Sequence, residues 1–168
     1  MSLKALKILI VIVLGLRADA VAQSEREFVN NVENFKLTLS EGWAPVPYTD
    51  AFGRQKTEFV YRDRAEGLLR IVKERLTGLS LDEKVRSDLE DLKLRHACLY
   101  TGQEAIAGTL GGARLALYYF EGGRWLVGTH YYLKDGDAVW ILRFAGRAGS
   151  TGMARETTDR IARSFCSV

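Results

Sequence analysis

The stretch from Gly111 to Arg147, GGARLALYYFEGGRWLVGTHYYLKDGDAVWILRFAGR, constrains the fold of this chain more than any other. It reads as three consecutive strands joined by two tight turns, an antiparallel meander. Lys134-Asp135-Gly136-Asp137 lies between two apolar, aromatic-rich runs. Asp-Gly at its centre signals a two-residue turn with positive φ at both central positions. That turn sets Lys134 opposite Asp137, Leu133 opposite Ala138, Tyr131 opposite Trp140 and Val127 opposite Phe144. Side chains alternate between faces along a strand. One face then carries Trp125, Val127, Thr129, Tyr131, Leu133, Ala138, Trp140, Leu142 and Phe144, and is expected to be core. The other carries Leu126, Gly128, His130, Tyr132, Val139, Ile141 and Arg143, and is mixed.

The preceding turn, at Glu121-Gly122-Gly123, admits two registers. A two-residue loop puts Arg114 on the core face. A three-residue loop with a bulge at Gly123 puts Leu115, Leu117 and Tyr119 there instead. The second is preferred, because burying an unpaired Arg is costly. In that register Arg114 opposes His130 and Arg143 opposes Gly128. Arg114, Tyr118, His130, Tyr132 and Arg143 then form one cationic, aromatic patch on the mixed face.

The first residues read as a secretory leader. Lys4 and Lys7 precede a short apolar run, Ile8 to Leu16, which Arg17 and Asp19 end. The run is far below the ~20 residues of a membrane span. Ala20-Val21-Ala22 supplies small residues for cleavage after Ala22, leaving a single domain over residues 23–168. The expected location is secreted or periplasmic, with no stable membrane span once the leader is removed. The formal charge of +3 is mild and makes no case for nucleic acid. In an exported chain two cysteines, Cys98 and Cys166, permit a disulfide, with two buried free thiols as the alternative.

Along the chain, Ser24 to Asn34 is polar and reads as a lead-in helix or irregular arm. Phe35 to Leu39 alternates and is a strand. Gly42 to Pro47 carries two prolines and is expected to be a connecting loop anchored by Trp43. Tyr48 to Lys56 is expected to be a flexible loop. Thr57–Tyr61 and Leu68–Leu76 are strands. Ser80 to His96 is a helix, opened by a Ser80–Glu83 capping box and striped by Leu81, Val85, Leu89, Leu92 and His96. Leu99 to Ala107 is a strand leading into the meander. A final helix capped by Ser150 or Thr151 carries Met153, Thr157, Ile161 and Phe165 on one side.

Gly108-Thr-Leu-Gly-Gly112 is glycine-rich, but a phosphate loop needs a helix after it and here a strand follows. Two His and two Cys in the whole chain fall short of a recognisable zinc pattern, so no metal is expected. There is no Gly-x-Ser-x-Gly elbow and no other catalytic signature, and no cofactor is implied.

The order strand, Gly-Trp-Pro segment, hairpin, capped helix, four-strand meander and final helix resembles the PsbP-like fold. The residues behind the likeness are Phe35-Lys-Leu-Thr-Leu-Ser-Glu-Gly-Trp43, Leu69-Arg-Ile-Val72, Tyr131-Tyr-Leu133 with the Asp135-Gly136 turn, and Ile161-Ala-Arg-Ser-Phe165. The resemblance implies an α+β architecture, an antiparallel sheet flanked by helices on both faces. It also implies a non-enzymatic binding or assembly role, with no shared catalytic residues. Two expectations follow. One is an exported accessory protein that binds an envelope protein through a sheet face or the Tyr48–Lys56 loop. The other is a small-ligand or anion carrier using the Arg114, His130 and Arg143 patch.

Overall fold

The meander forms, and its three strands lie side by side within a seven-stranded antiparallel sheet. The computed structural model describes residues 25–168; the expected leader lies outside them. The strands are β1 (Arg26–Asn30), β2 (Phe35–Leu39), β3 (Trp43–Thr49), β4 (Gln55–Tyr61) and β5 (Leu68–Arg75), then β6 (Ala97–Ile106), β7 (Gly112–Glu121), β8 (Arg124–Asp135), β9 (Ala138–Arg147) and β10 (Cys166–Ser167). The helices are α1 (Leu81–Arg95), between β5 and β6, and α2 (Arg155–Ser164), between β9 and β10. The large sheet has the order β3-β4-β5-β9-β8-β7-β6, and a small sheet the order β1-β2-β10.

Each face of the large sheet carries a buried core. One packs against the small sheet and α2, burying Leu69, Tyr131, Trp140, Leu142 and Phe144 with Phe35, Leu37, Ile161 and Phe165. The other packs against α1, burying Leu115, Leu117, Tyr132, Val139 and Ile141 with Val85. The face read as mixed is therefore a second core. Its polar residues are exceptions within an apolar layer.

Two turns differ from expectation in instructive ways. Asp135 pairs with Ala138, so the β8–β9 loop is Gly136-Asp137. Gly136 takes φ 62° and Asp137 stays at negative φ, which suits a turn with glycine at its first central position. Asp135 is drawn into the strand because its carboxylate accepts a 3.0 Å hydrogen bond from the Trp140 indole. The register moves by two residues, and an even shift leaves each side chain on its expected face. Trp140 and Arg143 remain on opposite sides, but Thr129 now faces Phe144 and His130 faces Arg143.

At the β7–β8 turn, Glu121 pairs with Arg124 across Gly122-Gly123, both at positive φ. This is the two-residue loop, and it reverses the expected faces of β7. Arg114 opposes Tyr131 on the α2 face, while Leu115 opposes His130 on the α1 face. The objection to burying Arg114 is met by a partner: its Nε lies 3.4 Å from Asp159 Oδ1 of α2.

Three further segments are corrected. Arg26–Asn30 is a strand rather than a helix or arm. Trp43–Thr49 is a strand despite Pro45 and Pro47, because β3 lies at the sheet edge, where proline is tolerated. The Tyr48–Lys56 loop is largely the β3–β4 hairpin, with only Asp50–Arg54 turning. The Ser80–Glu83 capping box is present in full. The last helix begins without a side-chain cap, after a short 3-10 turn at Thr151–Met153.

Candidate functional site

The register of β7 divides the five residues of the expected patch between the two faces of the sheet. Arg114 and Tyr118 face α2; His130, Tyr132 and Arg143 face α1. Arg114 is held by acids: Asp159, and Glu104 of β6 at 3.8 Å. The Tyr131 hydroxyl donates to the same Asp159 at 2.6 Å, so one carboxylate locks strand and helix together. Tyr118 stays half-exposed further along the strand.

Under α1, a cavity of about 450 Å³ is lined by Glu74, Lys84, Asp88, His130, Tyr132 and Arg143, with Asp91, Leu92, Arg95 and His96 at its helix side. Lys84 Nζ lies 2.6 Å from both Glu74 and Asp88 carboxylates. Arg143 reaches the same two acids only at 3.7 Å, beyond hydrogen-bonding distance. Among the described residues, Asp88 Oδ2, His130 Nδ1 and the Tyr132 hydroxyl are buried without a hydrogen-bond partner. Burial, with a smaller contribution from the Arg143 charge, lowers the His130 pKa to about 3. The imidazole is therefore neutral at ordinary pH. Burial, then the charge of Asp88, pushes the Tyr132 phenol upward.

A different feature was not foreseen. Beyond the reach of α2, the open end of β6, β7 and β8 exposes Leu99, Tyr118, Phe120 and Trp125 on one face. Leu99 opposes Tyr118, and Phe120 opposes Trp125. The Phe120 and Trp125 rings meet edge to face at 5.5 Å. Trp125 was expected in the core, yet it is 50% exposed, because neither α2 nor the small sheet extends over this corner. A groove of about 460 Å³ continues from it past Tyr118 and Val127 to Thr151 and Arg155. β6 is an edge strand. Arg124 beside Trp125 is exposed and makes no ion pair among the described residues.

The two cysteines of the possible disulfide lie on strands of different sheets. Cys166 is a free thiol. It belongs to β10 of the small sheet, paired through Lys36, whereas Cys98 lies on the outermost strand of the large sheet, opposite Tyr119. Among the described residues, no group of three His, Cys, Asp or Glu side chains could hold a metal ion.

No protein-family model matches the chain, and no curated protein matches it. Solved structures do. A cyanobacterial PsbP from Synechocystis aligns over 92% of this chain and 99% of its own, with a TM-score of 0.62 and 14% identity. The Ran-binding protein Mog1p of Saccharomyces cerevisiae aligns over 88% of this chain and 97% of its own, with a TM-score of 0.56 and 12% identity. LpqN of Mycobacterium tuberculosis, involved in cell envelope biogenesis, aligns over 86% and 90%, with a TM-score of 0.56 and 12% identity. The chain therefore has the PsbP-like α+β fold.

Proposed function

We propose that this chain is an exported, non-enzymatic accessory protein that binds a partner protein in the cell envelope, and that the partner docks on the aromatic corner of β6–β8. The mature form begins at Gln23 and comprises one PsbP-like domain over residues 23–168. The single observation that carries the docking surface is the exposure of four large apolar side chains on one face. Contiguous exposed apolar surface of this kind marks interaction sites, and aromatic residues are enriched in interface hot spots. Arg124, next to Trp125 at the start of β8, is exposed and makes no ion pair among the described residues. It suits a partner segment that is apolar in the middle and carries an acid at its fringe. Among the described residues no helix is long and apolar enough to cross a membrane. The Ran-binding protein Mog1p, which shares this fold, is in line with the reading.

The anion-carrier alternative needs converging cations without acids. Arg114 lies across the sheet from Arg143, and each has carboxylates beside it. Protein binding is therefore the reading the geometry favours. The test is affinity capture from the native envelope fraction with the wild type, Phe120→Ser/Trp125→Ser, and a control at the exposed Val32, Val32→Ser. The expected result is one partner retained equally by wild type and control and lost by the double variant. A partner retained by the double variant overturns the docking surface. Capture of a second copy of this chain in place of another protein would overturn the heterologous partner in favour of self-association.

A further inference from the structure

We propose that the cavity under α1 binds a small zwitterion of the α-amino acid class, with its carboxylate toward Arg143 and its ammonium toward Asp88. The site is on the opposite face from the aromatic corner, so it stands independently of partner docking.

The first support is the convergence of unpaired groups. Buried polar atoms are almost always hydrogen-bonded. Among the described residues Asp88 Oδ2, His130 Nδ1 and the Tyr132 hydroxyl are buried without a well-formed hydrogen bond, the Tyr132 hydroxyl interacting only weakly with the Asp88 carboxylate, and all three residues line one cavity. His130 is 6% exposed and Tyr132 fully buried, so neither is merely a surface group turned inward. The cavity, at about 450 Å³, is well beyond the roughly 30 Å³ share of a single water. It lies within the range of small-molecule sites.

The second support is the layout of charge, which selects among polar occupants. Lys84 is satisfied by Glu74 and Asp88 at 2.6 Å. Arg143 forms no hydrogen bond to either acid, its NH2 standing 3.7 Å from Glu74 and from Asp88 Oδ2. A guanidinium with unspent donors thus lies beside a carboxylate oxygen with an unspent acceptor. The two cations and two anions balance, as do Asp91 and Arg95 at the helix side. A lone anion or a lone cation would upset that balance. A molecule with both charges on neighbouring atoms completes it: its carboxylate takes Arg143 donors, and its ammonium donates to Asp88. Neutral His130 and Tyr132 supply the remaining hydrogen bonds, and Leu92 and His96 offer an apolar and aromatic wall for a side chain. Arginine is well suited to carboxylate recognition.

The experiment is calorimetric titration of the purified protein with each of the twenty α-amino acids at millimolar concentration, with acetate and methylammonium as half-ligands. The expected result is binding of at least one amino acid and of neither half-ligand. Tyr132→Phe, which keeps the ring and removes the hydroxyl, weakens that binding roughly tenfold, and Arg143→Gln abolishes it. Where Arg143→Gln fails to fold, Tyr132→Phe decides. The proposal is overturned when no amino acid binds, when acetate or methylammonium binds as tightly, or when Tyr132→Phe binds like the wild type.

Discussion

His130 stands directly opposite Arg143 across the β8–β9 ladder, with its Nδ1 buried and without a hydrogen-bond partner. The other ionisable groups lining its cavity are Glu74 from β5, Lys84, Asp88, Asp91 and Arg95 from α1, His96 at its C-cap, and Tyr132 beside it on β8. The folded protein keeps this imidazole neutral, at a pKa of about 3 against an ordinary 6.5. In the unfolded chain His130 protonates near 6.5, so the unfolded state binds the extra proton first. The stability contributed by keeping it neutral is whole above pH 6.5 and is lost as pH falls toward 3. Hydrogen bonds hold the Asp50, Glu83 and Asp135 carboxyls below their usual values, so their losses come at lower pH. Between pH 6.5 and about 4.5, unfolding free energy from urea titrations should fall in the wild type and fall less steeply in His130→Gln. Equal slopes would mean that His130 does not titrate as described.

Glycine at position 112 is required by space rather than by conformation. A Cβ there would run into the Tyr132 carbonyl oxygen on the neighbouring strand. A backbone atom within a ladder cannot swing aside, so Gly112→Ala should cost roughly 1–3 kcal/mol. At Gly102, beside the β6 bulge, a Cβ would meet nothing within 4 Å. Gly102→Ala should change stability by no more than about 0.5 kcal/mol. Equal losses in denaturant titrations would contradict the placement of β7 against β8.

The start of α1 depends on the reciprocal hydrogen bonds of Ser80 and Glu83: Glu83 N–H donates to Ser80 Oγ, and Ser80 N–H donates to the Glu83 carboxylate at 2.7 Å. Ser80→Ala should cost about 1 kcal/mol, read as a lowered midpoint in thermal unfolding. An unchanged midpoint would show that α1 is held by Val85 and its neighbours alone.

Two tryptophans in the meander should behave in opposite ways. Trp140 is 2% exposed, packs edge-on against Phe35 and tilted against Phe165, and donates to Asp135. Trp140→Ala should cost roughly 3–5 kcal/mol. Trp125→Ala, at the open corner, should cost under about 1 kcal/mol, in line with surface substitutions. A large loss at Trp125 would mean that the corner is core after all.

What was legible in the sequence was local, and what was missed depended on distant partners. Ser80 and Glu83 lie within one helical turn, so the cap could be read directly. The Asp135–Gly136 signal found the right hairpin. Its two-residue error left every face correct because strand parity repeats every two residues. The Gly122–Gly123 turn allowed no such tolerance, since a one-residue change there swaps faces. The choice rested on Arg114 having no partner, and that partner, Asp159, lies far along the chain on α2. The mixed face looked half-solvated because nothing in β8 or β9 announces that α1 covers it. Trp125 looked like core because alternation reports which face a side chain occupies, and says nothing of where the covering layer ends.

The most direct measurement is site-specific photo-crosslinking in the native envelope, with the reactive residue placed at Trp125 in one protein and at the exposed Phe52 in another. The expected result is a single heterologous adduct from position 125, absent from position 52 and reduced by Phe120→Ser in the same chain. An adduct from position 52 and none from position 125 would contradict the aromatic corner as the docking surface.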